Sequence, residues 1–229
     1  MSWFTKFITS SLGQKLVMSL TGLFLILFLA VHLEGNLKLL KDDGGEAFNL
    51  HTYFMTHNPL IKAVSYLLYT FILLHAVQGI ALWLQNRKAR GPVGYAVKVT
   101  RTVNTSSFAS RNMAYLGLLI LVFLGIHMGD FWWKMKFGGT PMVMIEGQEY
   151  KDLYTLVDAS FSQAWIVIIY VISMVGLFFH LLHGFQSAFQ TLGVNHKKYT
   201  PAIRFLGWAY SIVVPLGFAI IPIYYFFFK

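Results

Sequence analysis

No cysteine occurs in this 229-residue chain. Disulfides, a covalently attached c-type haem and any iron–sulfur cluster bound through the chain's own thiolates are therefore excluded. A group held non-covalently by histidine stays open. Charge is almost as scarce, at 12% of residues, about half of the roughly 25% usual in a soluble protein. In its place stand 56% hydrophobic and 17% aromatic residues and a mean hydropathy of +0.59. Nucleotide-binding loops, metal-hydrolase spacings and nucleophile triads are also missing. The balance describes an all-α membrane protein, read as one transmembrane domain over residues 1–229.

The net charge of +9 raises the question of nucleic acid, and its distribution answers against it. Apolar stretches near 16–38, 60–85, 112–134, 163–189 and 204–228 are each long enough to span, since about 20 helical residues cross a bilayer core. With the N-terminus placed in the cytoplasm, the inner segments hold Lys6, Lys15, Arg87, Lys88, Arg90, Lys98, Arg101, Arg111, Lys197, Lys198 and Arg204, and no acid. All nine acids, Glu34, Asp42, Asp43, Glu46, Asp130, Glu146, Glu149, Asp152 and Asp158, fall on the outer side. This is the positive-inside pattern of a multi-pass protein of the inner (cytoplasmic) membrane, with its C-terminus outside. The segment MSWFTKFITSSLGQK lacks a signal-peptide cleavage pattern, so the first span is expected to be retained.

Four histidines interrupt the apolar stretches: His32, His75, His127 and His180. Two end a shared phrase, Gly22-x9-His32 (GLFLILFLAVH) and Gly117-x9-His127 (GLLILVFLGIH); two begin another, His75-x3-Gly79 (HAVQG) and His180-x3-Gly184 (HLLHG). The first phrase recurs after 95 residues and the second after 105. Two helical hairpins of one design follow. An ionisable side chain within a membrane helix is costly and faces a cavity, a partner or a cofactor. His32 and His127 lie 17 and 16 residues beyond Lys15 and Arg111, roughly 25 Å from the inner surface. His75 and His180 lie nearer that surface. Two imidazoles facing each other at equal depth are what axial ligation of one haem iron requires. The expectation is a haem-binding four-helix bundle plus a fifth helix, with an outer pair (His32, His127) and an inner pair (His75, His180) holding two haems b. Gly79 and Gly184, one turn beyond the inner histidines, would let a flat macrocycle approach the helix.

His183 lies one turn from His180 and could itself ligate. The internal repeat matches it with Gln78, which favours a supporting role. His196, in NHKKYTP, reads as solvated. Near the outer pair, Glu34, His51, His57 and Asp130 are candidates for exchanging protons with a quinone, and each could instead be a solvated interface residue. The inner loop RKARGPVGYAVKVTRTVNTSSFASRN reads as a docking surface for a cytoplasmic partner or as a contact for anionic membrane lipid. The second outer loop, roughly 135–162, is polar and tyrosine-bearing. Pro215 and Pro222 suggest kinks in the fifth span.

These residues resemble a known family. SLTGLFLILFLAVH, GGEAFN, HAVQG, YLGLLILVFLGIH and FHLLHGFQSAFQTLG look like the five-helix, di-haem cytochrome b membrane anchor of succinate dehydrogenase and menaquinol:fumarate reductase, over nearly the whole chain. The resemblance implies that His75 and His180 ligate the iron of a proximal haem, near a cytoplasmic iron–sulfur subunit. His32 and His127 would ligate the distal haem iron, and His180 rather than His183 falls on the ligand position. It also places Ser19 where some members bond a haem propionate; Arg111 and the inner-loop arginines are further propionate partners by charge alone. The implied partners are flavoprotein and iron–sulfur subunits and menaquinone or another quinone, in a complex that is itself open to homo-oligomerisation. The chain would be a non-catalytic subunit of that oxidoreductase, relaying electrons. In one respect it departs: Phe178 stands where some fumarate reductases of this kind carry a glutamate thought to return protons. Two other classes compete. A cytochrome b subunit of a hydrogenase or formate dehydrogenase would share the haems but not GGEAFN, and a proton-coupled transporter would need carboxylates near the midplane.

Overall fold

A computed structural model describes residues 2–91 and 108–229. The chain runs α1 (Trp3–Thr9), α2 (Ser11–Leu37), α3 (Glu46–His57), α4 (Pro59–Arg90), α5 (Phe108–His127), α6 (Lys134–Phe137), β1 (Met142–Ile145), β2 (Gln148–Lys151), α7 (Leu153–Phe161), α8 (Ala164–Thr191) and α9 (Thr200–Phe228). A 3₁₀ turn at Lys38–Leu40 ends α2, and a π-helical turn at Met128–Trp133 joins α5 to α6. Five helices are long and apolar enough to cross a membrane: Ser11–Leu40, Pro59–Arg90, Phe108–Phe137, Ala164–Thr191 and Thr200–Phe228. Each contains the stretch expected from hydropathy, within two residues at its ends, and most extend a turn or more beyond it. The inner-loop residues 92–107, Lys98 and Arg101 among them, lie outside the described residues.

Local chemistry sets the ends. Ser10 caps α2 by accepting from the Gly13 amide at 3.1 Å. Asn58 caps α4 by accepting from the Leu60 and Ile61 amides at 3.0 and 3.2 Å, with Pro59 supplying the first helical residue. Arg87, Lys88 and Arg90 occupy the last turn of α4, where cations suit the negative end of the helix dipole. α9 continues as one helix through Pro215 and Pro222, both buried.

Four helices form a square whose edges are α2–α4, α4–α5, α5–α8 and α8–α2, and α9 packs outside it on α8 and α2. The α4–α5 edge is the sparsest. α8 is the most deeply packed helix: Met174, Leu177 and Leu181 are buried against Ile26, Leu29, Tyr210 and Phe218. By contrast α4 contains no buried residue. A second core lies at the end of the bundle that the charge pattern assigns to the outer side, where Leu39, Phe48, Val157, Phe161, Tyr170, Ile221 and Tyr225 meet.

The outer loops are ordered where the sequence suggested only polar connections. β1 and β2 form an antiparallel hairpin pairing Ile145 with Gln148. Its two turn residues, Glu146 and Gly147, have φ of 50° and 80°, the left-handed pair a type I′ turn requires. The GGEAFN motif is a clip. Asn49 is 2% exposed; its amide donates to Asp152 at 2.9 Å and accepts from the Tyr154 backbone at 3.2 Å. Gly45, at φ 90°, lies against the Tyr154 ring so closely that a Cβ there would clash. The motif thus ties α3 to α7 and roofs the outer end of the bundle.

Candidate functional site

The structure places the four span histidines in two pairs. The rings of His32 on α2 and His127 on α5 have centroids 5.8 Å apart with planes at 84°. Those of His75 on α4 and His180 on α8 are 6.2 Å apart at 66°. Neither pair joins neighbouring helices. Each spans one diagonal of the square. Two imidazoles bound by Nε2 on opposite sides of one iron, each about 2 Å from it, have centroids about 6 Å apart. His180 therefore faces His75, and His183 is a half-buried neighbour one turn on. Because Gly22 faces His75 while His32 lies ten residues further along α2, the two pairs are separated by about 15 Å along the bundle.

The donor set decides what could be held. Among the described residues no group of three or more His, Asp or Glu side chains could bind a bare metal ion. Two nitrogens are too few for such an ion, yet they complete an iron already carried by four nitrogens of a macrocycle. Space agrees with this. A Cβ at Gly184 would meet nothing within 4 Å, and one at Gly79 would meet only the tip of Met18, at 3.5 Å. Orphaned polar atoms gather at the same levels. Of four buried side-chain atoms without a partner among the described residues, His180 Nδ1 belongs to the inner pair. Gln78 Nε2 and Asp130 Oδ2 each lie three residues beyond a histidine of a pair. The fourth, Thr140 Oγ1, is in the outer loop. The residues present fit two bis-histidine haems.

The repeated phrase proves to serve both levels. Its glycines face the inner histidines: a Cβ at Gly22 would stand 3.2 Å from His75 Cε1, and one at Gly117 would stand 3.8 Å from His180 Cε1. Its seventh residue is phenylalanine in both copies and stacks on the outer histidine four residues later. Phe28 lies 5.1 Å from His32 and Phe123 lies 5.8 Å from His127. Periodicity placed both phenylalanines beside the histidines, and the repeat itself carried the signal. Three polar partners lie on the second ring nitrogens, two of them from distant segments and Asn36 from one turn along the same helix. Thr21 Oγ1 is 3.2 Å from His75 Nδ1, Tyr170 Oη is 3.2 Å from His127 Nδ1, and Asn36 Nδ2 is 3.3 Å from His32 Nδ1.

The remaining site candidates separate. Glu34 pairs with Lys38, and His51 on α3 lies beside both, its Nε2 only 2.6 Å from where a Gly35 Cβ would be. Burial and the Lys38 ammonium hold the His51 pKa below the usual histidine value, against the pull of Glu34. Asp130 lies in the π-helical turn, on the Tyr170 side of the outer pair. His57 instead stacks on Tyr53 at 3.9 Å and bonds the Tyr53 carbonyl through Nδ1 at 2.8 Å, on the exposed face of α3. Ser19 is buried with its hydroxyl donating to the Lys15 carbonyl at 2.9 Å, and Arg111 is exposed near the start of α5. No family model matches the chain, and no curated protein or solved structure was found to match it.

Proposed function

We propose that this chain is the di-haem cytochrome b membrane anchor of a succinate:quinone oxidoreductase. In this reading it relays electrons between a cytoplasmic iron–sulfur subunit and a membrane quinone. The observation that carries the reading is the placing of four buried-span histidines as two pairs, each across a diagonal and each at the spacing of axial ligands. His75 and His180 would hold the proximal haem, and His32 and His127 the distal one. Haem at each pair supplies one-electron transfer between the two faces of the membrane. The chain's own residues do the rest.

The histidines fix where the groups sit, and the phenylalanines on His32 and His127 exclude water from the outer pair. At the outer end Glu34, Lys38 and His51 form a polar cluster one turn beyond His32. His51 places a titratable ring there, its charged form disfavoured by burial and Lys38, and would take part in the proton exchange that quinone chemistry requires. The basic inner segments, with the N-terminus in the cytoplasm, suit the docking of the iron–sulfur and flavoprotein subunits. The GGEAFN clip weighs toward this family over other bis-histidine cytochromes b, and the outer location of every carboxylate weighs against a transporter. Phe178, on α8, leaves the glutamate route for protons unfilled.

Haem content tests the proposal. In the purified complex, pyridine haemochrome should give two haems b per chain, falling in His180→Ala and unchanged in His183→Ala. A folded preparation without haem would end this reading.

A further inference from the structure

Each pair contains one histidine whose second ring nitrogen meets a hydroxyl. Thr21 is 3% exposed, and its single proton is already given to the Val17 and Met18 carbonyls, at 2.7 and 3.1 Å. With that proton so used, the hydroxyl stands toward His75 Nδ1 as an acceptor, beside the Met18 carbonyl that also bonds this ring, and an acceptor there goes with a proton on Nδ1. That tautomer leaves Nε2 bare, on a ring whose centroid is 6.2 Å from that of His180. At the other level Tyr170 is gripped by Phe123, Phe131 and Phe161, with centroids at 4.8, 6.5 and 5.1 Å, and its hydroxyl meets His127 Nδ1. Asp130, whose Oδ2 is buried and unpartnered, lies on the Tyr170 side of this pair.

The opposite ligands lack this help. His180 Nδ1 is buried with no partner. His32 Nδ1 faces the Asn36 amide nitrogen, which also donates to the His32 carbonyl at 2.7 Å. An N–H there would oppose the proton that Nε2 ligation puts on Nδ1.

Resting on the two-haem reading, we propose that Thr21 and Tyr170 are positioning residues, one for each iron site. Thr21 accepts the Nδ1 proton of His75 and Tyr170 that of His127, fixing one ligand of each pair and making it the stronger electron donor to iron. An acceptor on the distal ring nitrogen raises imidazole basicity and favours the oxidised metal. Its removal raises the potential of that haem alone.

The test is a redox titration of the purified complex, following both haem absorbance waves. His75→Ala and His127→Ala first assign the waves. Thr21→Val, nearly the same shape without the acceptor, should shift upward the wave that His75→Ala removes, and Thr21→Ser should restore it. Tyr170→Phe should shift upward only the wave that His127→Ala removes. Two haems with unmoved potentials in both variants, or a shift in the wrong wave, would overturn the assignment while leaving the cytochrome reading intact. No haem in the wild-type complex would overturn both. The low-spin EPR signal gives a second readout, changing for the same haem in each variant.

Discussion

The two histidine pairs sit in unlike walls. The inner pair is bordered by glycine, Gly22 against His75 and Gly117 against His180, with a threonine hydroxyl as its polar contact. The outer pair is enclosed by Phe28, Phe123, Phe131 and Phe218, with Tyr170 at its edge. One repeated phrase makes both environments, because its first residue serves one level and its last serves the other. A ten-residue spacing on α2 and again on α5 thus sets the distance between two sites and the character of each. The lesson is that a repeat in a membrane helix can encode two layers at once.

Substitutions that separate the layers should follow that division. On the proposed two-haem reading, the largest effect is expected from the ligands: His127→Ala should abolish the outer haem and spare the inner, and His75→Ala the reverse, read by haem content and spectrum. Next is Gly22→Val. Its Cβ would press on His75 at 3.2 Å and its methyl groups nearer still, so the inner haem should be lost or become high-spin while the outer haem stays. Gly117→Ala, with 3.8 Å to His180, should be tolerated. Asn49→Ala should loosen the outer roof by about 1–3 kcal/mol, the cost of leaving buried partners unbonded. Faster proteolysis between Gly138 and Ser162 with both haems retained would show it.

The smallest effect concerns pH. His51 is held below its ordinary value of 6.5, mainly by burial and also by Lys38, so the unfolded chain binds its proton first. Stability of the roof should then be flat above pH 6.5 and fall as the pH drops below it. For Asp152 burial pushes the pKa up, and hydrogen bonds from Thr155, Asn49 and Tyr154 outweigh it, leaving it below 3.8. Its contribution, present above that value, is lost with further acid. Melting curves of His51→Asn should lack the first loss and keep the second.

Much of this was legible in the residues. Hydropathy located five spans because a bilayer imposes length and composition together. The histidines stood out because ionisable groups are rare in such runs. What escaped was set by distance or by backbone geometry. Thr21 and His75 are 54 residues apart, and His127 and Tyr170 are 43 apart, so no local period joins them. The π-helical turn after His127 has no compositional signature, and it falls beside a candidate site as such turns often do. The hairpin at Met142–Lys151 had a usable signal in its Glu-Gly turn between two short apolar-polar runs, and the loop's polarity hid it. GGEAFN read as a family mark; only the structure gives it the work of a clip.

The diagonal placing has a mechanical meaning. A four-sided frame shears easily when only its edges are joined, and its weakest edge here is α4–α5. A strut along each diagonal turns the frame into triangles, which cannot deform without stretching a member. Bridging His75 to His180 and His32 to His127 would brace the bundle at two heights. α4, which buries nothing of its own, would depend on those struts more than any other helix.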